Sequence, residues 1–371
     1  MKPTSPLPLD GTLVLDCTRM LPGGVLARML LDLGARVIKV EGAGGDLLRS
    51  TPPLVGGVGA GFAVLYRGAQ SLCLDLRREE DGARLRALAK HADVLAESFR
   101  PGTLEAWGLG YDRLSAANPA LVVCSMSSFG AHADARRVGH DLNFAALAGA
   151  LAPQAEPRPL PVPLADVGGG LLACSAVLAA LLRRARTGRG ALLDQPLAVA
   201  PLPFLLWPMA DAAAGGGGLW ERLSAGLLPA YRLYRCADGG SAALCALEPK
   251  FWSAFVEMLG LPELAGAGLD AGPEGGAAAR RVEAAMARKP LAYWLDEAHR
   301  LGLPLSPAGG LEEAAETGSP LAPFFEATPA PGGASLRAPG PAIPSLSATP
   351  STPAPALGEH TDAILREFGL A

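Results

Sequence analysis

The first third of the chain alternates short β-rich runs with helical patterns, and this alternation constrains the fold more than any other feature. Residues 12–15 are β-rich and end at Asp16; a Leu21-Pro22-Gly23-Gly24 turn then leads into residues 25–33, whose apolar spacing is helical. Residues 36–40, 72–76, 93–96 and 121–124 continue the strands, and residues 79–91 form a charged amphipathic pattern between them. Strands separated by helices need crossover connections, which are right-handed and build a parallel sheet. The expected class is α/β.

Further along, residues 168–185 read as a long buried helix. Gly168, Gly169 and Gly170 stand at its start, and Arg183, Arg184 and Arg186 at or just past its end suit the helix dipole. Thr187-Gly188-Arg189-Gly190 is a turn, followed by a proline-interrupted connector. A second unit opens near Tyr231 with a strand, a turn at Asp238-Gly239-Gly240, an apolar strand over 242–247 and a helix over 251–259. Residues 265–279 read as a loop plus a weak helix. Prolines recur every few residues from 320 to 355, which predicts an extended segment lying along a surface. The expected organisation is a large domain over 1–195, a linker over 196–225, a smaller α+β domain over 226–319, and a return segment with a terminal helix over 320–371.

Composition narrows the partners. Lys and Arg number 32 against 36 Asp and Glu, a net charge of −4. A nucleic-acid module would carry a basic excess, so none is expected as partner. Half of the residues are hydrophobic but only 5% are aromatic, so the core must come from Ala, Leu and Val. The six cysteines are scattered, without metal-ligand spacing, which points to free thiols, no metal and a cytoplasmic location. The N-terminus lacks the apolar core of a signal peptide. Residues 171–182 are too short for a bilayer, which takes ~20 residues, and 197–210 are broken by Pro201, Pro203 and Pro208. No membrane association is expected.

Few residues invite chemistry. Gly42-Ala43-Gly44-Gly45-Asp46 follows a strand but lacks the spacing of a dinucleotide loop, and a plain turn is the favoured reading. His91, His132, His299 and His360 read as surface residues. His140 differs: it stands in Gly139-His140-Asp141-Leu142-Asn143-Phe144, immediately before a small-residue helix that opens Ala145-Ala146-Leu147-Ala148. A histidine at a helix start faces unpaired N–H groups, which favour the neutral imidazole of a general base; a structural helix-start role has equal weight. Asp166 precedes Val167 and the three glycines. It reads either as an N-cap or as a reactive carboxylate beside backbone donors that a ligand can approach. Glu248, at a strand end before Pro249, is a solvated carboxylate or a partner for a histidine.

Together these pieces resemble the family III CoA-transferases, and within them the α-methylacyl-CoA racemase branch. The resemblance runs through Leu9-Asp10-Gly11, Val37-Ile38-Lys39-Val40-Glu41, Phe99-Arg100-Pro101-Gly102, Gly108-Leu109-Gly110-Tyr111, Gly139-His140-Asp141, Ala165-Asp166 with its glycines, and Leu357-Gly358-Glu359-His360. It implies an interlocked homodimer with a Rossmann-like large domain, no permanently bound cofactor, and CoA as the carrier of an acyl thioester substrate. His140 and Asp166 would face opposite sides of the acyl α-carbon, with Glu248 of the neighbouring subunit beside the histidine. Gly139, Gly168 and Gly169 would let the ligand approach, and Arg49, Arg67 and Arg100 are the remaining cations for its phosphates.

The chain departs from the pattern at Val162, where racemases commonly carry Asn, and at Gly42 and Ala69, where a basic residue is usual. The implied reaction is racemisation at the α-carbon of a 2-methylacyl-CoA by two-base proton transfer. The alternatives are a CoA-transferase with Asp166 as nucleophile, and a repurposed member acting on a non-CoA or carrier-bound thioester or serving as a non-catalytic binding partner.

Overall fold

The computed structural model describes residues 6–131, 137–151 and 158–371. His132 lies outside the described residues. The chain forms two compact units, Met1–Pro203 with Pro323–Ala371, and Phe204–Ala322.

The first unit is built on six parallel strands: β1 (Leu13–Cys17), β2 (Arg36–Glu41), β3 (Gln70–Cys73), β4 (Val94–Glu97), β5 (Val122–Ser125) and β6 (Ala191–Asp194). Their order across the sheet is β3-β2-β1-β4-β5-β6. This is a doubly wound order, in which the chain reverses direction between β1 and β4. Alternate side chains feed two cores. Val14, Val37, Val94 and Val122 enter one, while Leu15, Ile38, Leu95 and Val123 enter the other. Burial on both faces is why these strands read as nearly continuous apolar runs.

On the first face lie α1 (Met20–Asp32) and a later long helix; on the second lie α2 (Glu79–Ala89), with Leu85 and Leu88 buried, and the terminal helix Thr361–Glu367, with Ile364 and Leu365 buried. Two helices past β5 matter most: α3 (Asp141–Leu147) and α4 (Leu164–Thr187). Helix α4 has 24 residues and is long and apolar enough to cross a membrane by length and composition alone. It serves as a core helix against α1. A Cβ on Gly170 would stand 2.6 Å from the Pro22 carbonyl oxygen and from Val25, so glycine is what lets the helices approach. Gly188, with φ +68°, ends α4 in the left-handed conformation.

The second unit carries its own core. The strands β7 (Tyr231–Arg235), β8 (Ser241–Cys245) and β9 (Leu305–Pro307) form an antiparallel sheet with β8 in the middle. Packed on it are α5 (Pro249–Met258), α6 (Pro273–Met286) and α7 (Leu291–Leu301). Its two core tryptophans are satisfied as well as buried: Trp252 Nε1 donates to the Leu264 carbonyl and Trp294 Nε1 to that of Met286. Two short helices, Leu206–Ala213 and Leu219–Ser224, occupy much of the stretch expected as a linker. The proline-rich return is not uniformly extended, since Phe325–Pro329 pairs with Ser335–Pro339 as a hairpin.

Candidate active site

The carboxyl ends of β1, β2 and β4 open into a cleft of about 670 Å³. Ligands of doubly wound sheets bind in this position, at the reversal of strand order. The turn read as plain from sequence, Gly42 to Asp46, forms part of its wall, with Thr18, Arg19, Arg77, Ser98 and Arg100. Arg19, Arg77 and Arg100 are exposed there. Arg19 stacks over Phe99, and Arg77 pairs with Asp75 at 2.8 Å.

The wall is held from beneath by a buried lysine. Lys39 lies 3.3 Å from Asp46 and 3.5 Å from Asp16, and donates to the Thr18 carbonyl. Burial opposes its charge, but the two aspartates and Tyr66 hold its proton above the ordinary lysine range. Asp46 also accepts the backbone N–H of Met20 at 3.1 Å and of Leu48 at 3.0 Å. This matters because Met20 has φ +61°, a conformation that costs a non-glycine residue free energy.

Of the three arginines expected to meet phosphates, Arg100 lines the cleft and the other two do not. Arg67 is fully buried and donates to Asp32 at 2.9 Å. Arg49 donates to both Glu41 carboxylate oxygens and to the Pro355 carbonyl, so it clasps the return segment against β2. His360 is likewise more than a surface residue. It is half-buried, with Nδ1 accepting the Ser71 N–H. Arg19 and Arg77 were missed in the sequence because their motifs carry no phosphate-loop spacing; the strand ends bring them together.

His140 and Asp166 stand at the starts of packed helices, His140 at the N-cap of α3 and Asp166 in the first turn of α4. His140 is exposed, and its backbone N–H donates to Asn143 Oδ1 at 3.0 Å. Asp166 is half-buried. Burial pushes its carboxyl up to about 6, the Asp141 charge adds to this, and the His140 charge opposes it. The two groups are therefore electrostatic neighbours. They do not line the cleft; Thr18 and Arg19, just before α1, stand on it, while Pro22 in the first turn of α1 lies against Gly170 of α4.

The three glycines lie deeper in their helix than the sequence placed them. Helix α4 starts at Leu164, so Gly168, Gly169 and Gly170 lie inside it and their N–H groups belong to the helical ladder. All three are buried; a Cβ on Gly169 would meet Leu197 at 2.5 Å. Nor is Asp166 the N-cap, a position held by Pro163. The free donors at the start of α4 go to Asp141 Oδ1, which accepts Ala165 N–H at 2.7 Å and Asp166 N–H at 3.1 Å. Gly139 makes room for Phe144, whose ring would lie 2.7 Å from a Cβ there. Glu248, in the second unit, is exposed at the N-cap of α5 and pairs with Lys250 at 2.9 Å.

Among the described residues no group of His, Cys, Asp and Glu is arranged to hold a metal. The buried thiols are unsuited to nucleophilic attack, since burial pushes Cys124 up to about 12 and Cys174 up to about 11.

Residues 9–361 match CoA-transferase family III. The chain belongs to this family. It is 32% identical to the alpha-methylacyl-CoA racemase of Mus musculus over 98% of this chain and 94% of that protein. It is also 32% identical to the acetyl-CoA:oxalate CoA-transferase of Acetobacter aceti, over 83% of this chain and 82% of the relative. A crystal structure of a CAIB/BAIF family protein from Brucella suis superposes with a TM-score of 0.82 at 29% identity, covering 98% of this chain and all of that one. Racemases and CoA-transferases in this family thus stand at equal distance from the chain.

Proposed function

We propose that the protein is a racemase or epimerase of a 2-methylacyl-CoA, with His140 and Asp166 as its two bases. One removes the α-proton of the thioester and the other returns a proton to the opposite face. The observation that carries this reading is the pairing of an imidazole with a carboxyl raised to about 6, on adjoining helix starts. Near neutral pH such a carboxyl passes readily between its charged and protonated forms, as an acid–base role requires. The exposed Arg19, Arg77 and Arg100 support placing the CoA phosphates in the cleft, from which the pantetheine arm would cross the first turn of α1.

The large unit is taken as Rossmann-like, in a homodimer. Exposed Phe204, Leu206, Trp207 and Met209 support a second copy as cover, because a single chain leaves them in water. In the dimer Glu248 is assigned as the partner of the histidine.

Deuterium exchange at the α-carbon of a 2-methylacyl-CoA in D₂O tests the reaction. Wild type should exchange label, and His140→Ala should not. Equal exchange by both removes the assignment. The identity to the Acetobacter transferase favours one other reading, in which Asp166 attacks the thioester carbonyl, forms a mixed anhydride and releases CoA thiolate. Trapping of an Asp166 acyl adduct by hydroxylamine, with CoA gained by an added carboxylic acid, would establish it instead.

A further inference from the structure

Asp141 follows His140 directly and opens helix α3, yet its side chain is bonded to the start of α4. A single oxygen, Oδ1, accepts the N–H groups of Ala165 and Asp166. Both are first-turn donors with no carbonyl partner inside their own helix. The residue at the local cap, Pro163, has no side-chain acceptor, so α4 takes its cap from the helix that carries His140. A merely structural cap is normally supplied by Ser, Thr, Asp or Asn at the N-cap itself. Here the capping bond joins the main chain of one reactive residue to the sequence neighbour of the other.

We propose that Asp141 is the positioning residue for Asp166, locking its main chain against the helix that presents His140. This rests on the reading of His140 and Asp166 as the reacting pair. The arrangement fixes the distance between the two groups without drawing on either of their side chains. It also places a negative charge next to the Asp166 carboxyl. Burial does most to raise that carboxyl; of the two charged groups that act on it, Asp141 adds to the rise and His140 opposes it.

The two contributions separate by substitution. Asp141→Asn keeps an oxygen acceptor for both N–H groups but removes the charge. Asp141→Ala removes both. The full chain is assayed for α-deuterium exchange across pH, with urea unfolding in parallel. Asp141→Asn should keep its turnover near the optimum while the acid limb of its pH profile moves down by ~0.5–1 pH unit. Asp141→Ala should lower kcat by ~10–100-fold with KM unchanged. Wild-type pH profiles and kcat in both variants would overturn the proposal, as would a loss accounted for entirely by the fraction unfolded.

A second measurement needs no activity. The pH dependence of the stability change caused by Asp166→Asn is compared in the wild-type and Asp141→Asn backgrounds. The proposal expects the midpoint to fall in the second background, and identical midpoints overturn it. If the midpoint falls but wild type exchanges no label, the racemase reading fails while Asp141 still positions Asp166 for whatever chemistry that carboxyl performs.

Discussion

Arg67 donates to Asp32 at 2.9 Å and is itself wholly shielded from solvent. Asp32 is shared with Arg28, which reaches it at 2.6 Å and also donates to the Val64 and Pro339 carbonyls. This cluster ties α1 to the loop before β3 and to the return segment. Removing one partner of a buried pair leaves the remaining charges poorly compensated. Arg67→Leu should therefore destabilise the fold by ~3 kcal/mol, read from urea unfolding, with an unchanged KM for acyl-CoA in the folded protein. Arg100→Ala should do the reverse, shifting stability by no more than ~0.5 kcal/mol and raising KM by ~10-fold. An Arg67→Leu protein with wild-type stability and a raised KM would reverse the assignment of these two residues.

Asp166 links the site to stability through pH. Its carboxyl is raised in the fold from 3.8 to about 6. The folded state thus holds the proton more tightly than the unfolded chain, a contribution present below pH ~4 and lost as pH rises through about 6. Asp166→Asn, which never ionises, should be more stable than wild type at pH 8 by ~1–2 kcal/mol, after discounting for partial solvent screening. The gap should close at pH 4. A gap that widens on acidification would show the carboxylate to be stabilised in its charged form.

The glycines of α4 offer a packing test. Gly170→Ala gains helix propensity but drives a methyl into Pro22 and Val25 at 2.6 Å. Overpacking against backbone should win, for a net loss of ~1–2 kcal/mol. Gly61→Ala is the control, because its helix Ala60–Leu65 leaves open space around the added methyl. That variant should gain up to ~1 kcal/mol. Thermal melts of the two should move in opposite directions, and a stabilised Gly170→Ala protein would mean that α1 and α4 are not in tight contact.

Much of the first unit was legible because a doubly covered parallel sheet demands local apolar runs. Val37, Ile38, Val94, Leu95, Val122 and Val123 have to be apolar wherever their neighbours come from. The start of α4 was misplaced because its cap comes from Asp141, 24 residues before Ala165, and no local cap marks the boundary. The hairpin Phe325–Pro329 with Ser335–Pro339 was hidden by its prolines, which the ends of a two-stranded ribbon tolerate.

The candidate site divides in the same way. The sequence alone determined which residues have the chemical types for proton transfer, since His140 and Asp166 carry that capacity in any context. Their adjacency was decided by the packing of α3 on α4. Tertiary structure also decided the fate of the arginines. Arg49 and Arg67 are consumed by Glu41 and Asp32, whereas Arg19 and Arg100 are left to the cleft and Arg77 stands on its wall paired with Asp75. A guanidinium has the same charge at every position in the sequence. Whether that charge meets a buried carboxylate or an open cleft depends on which strand ends the fold brings side by side.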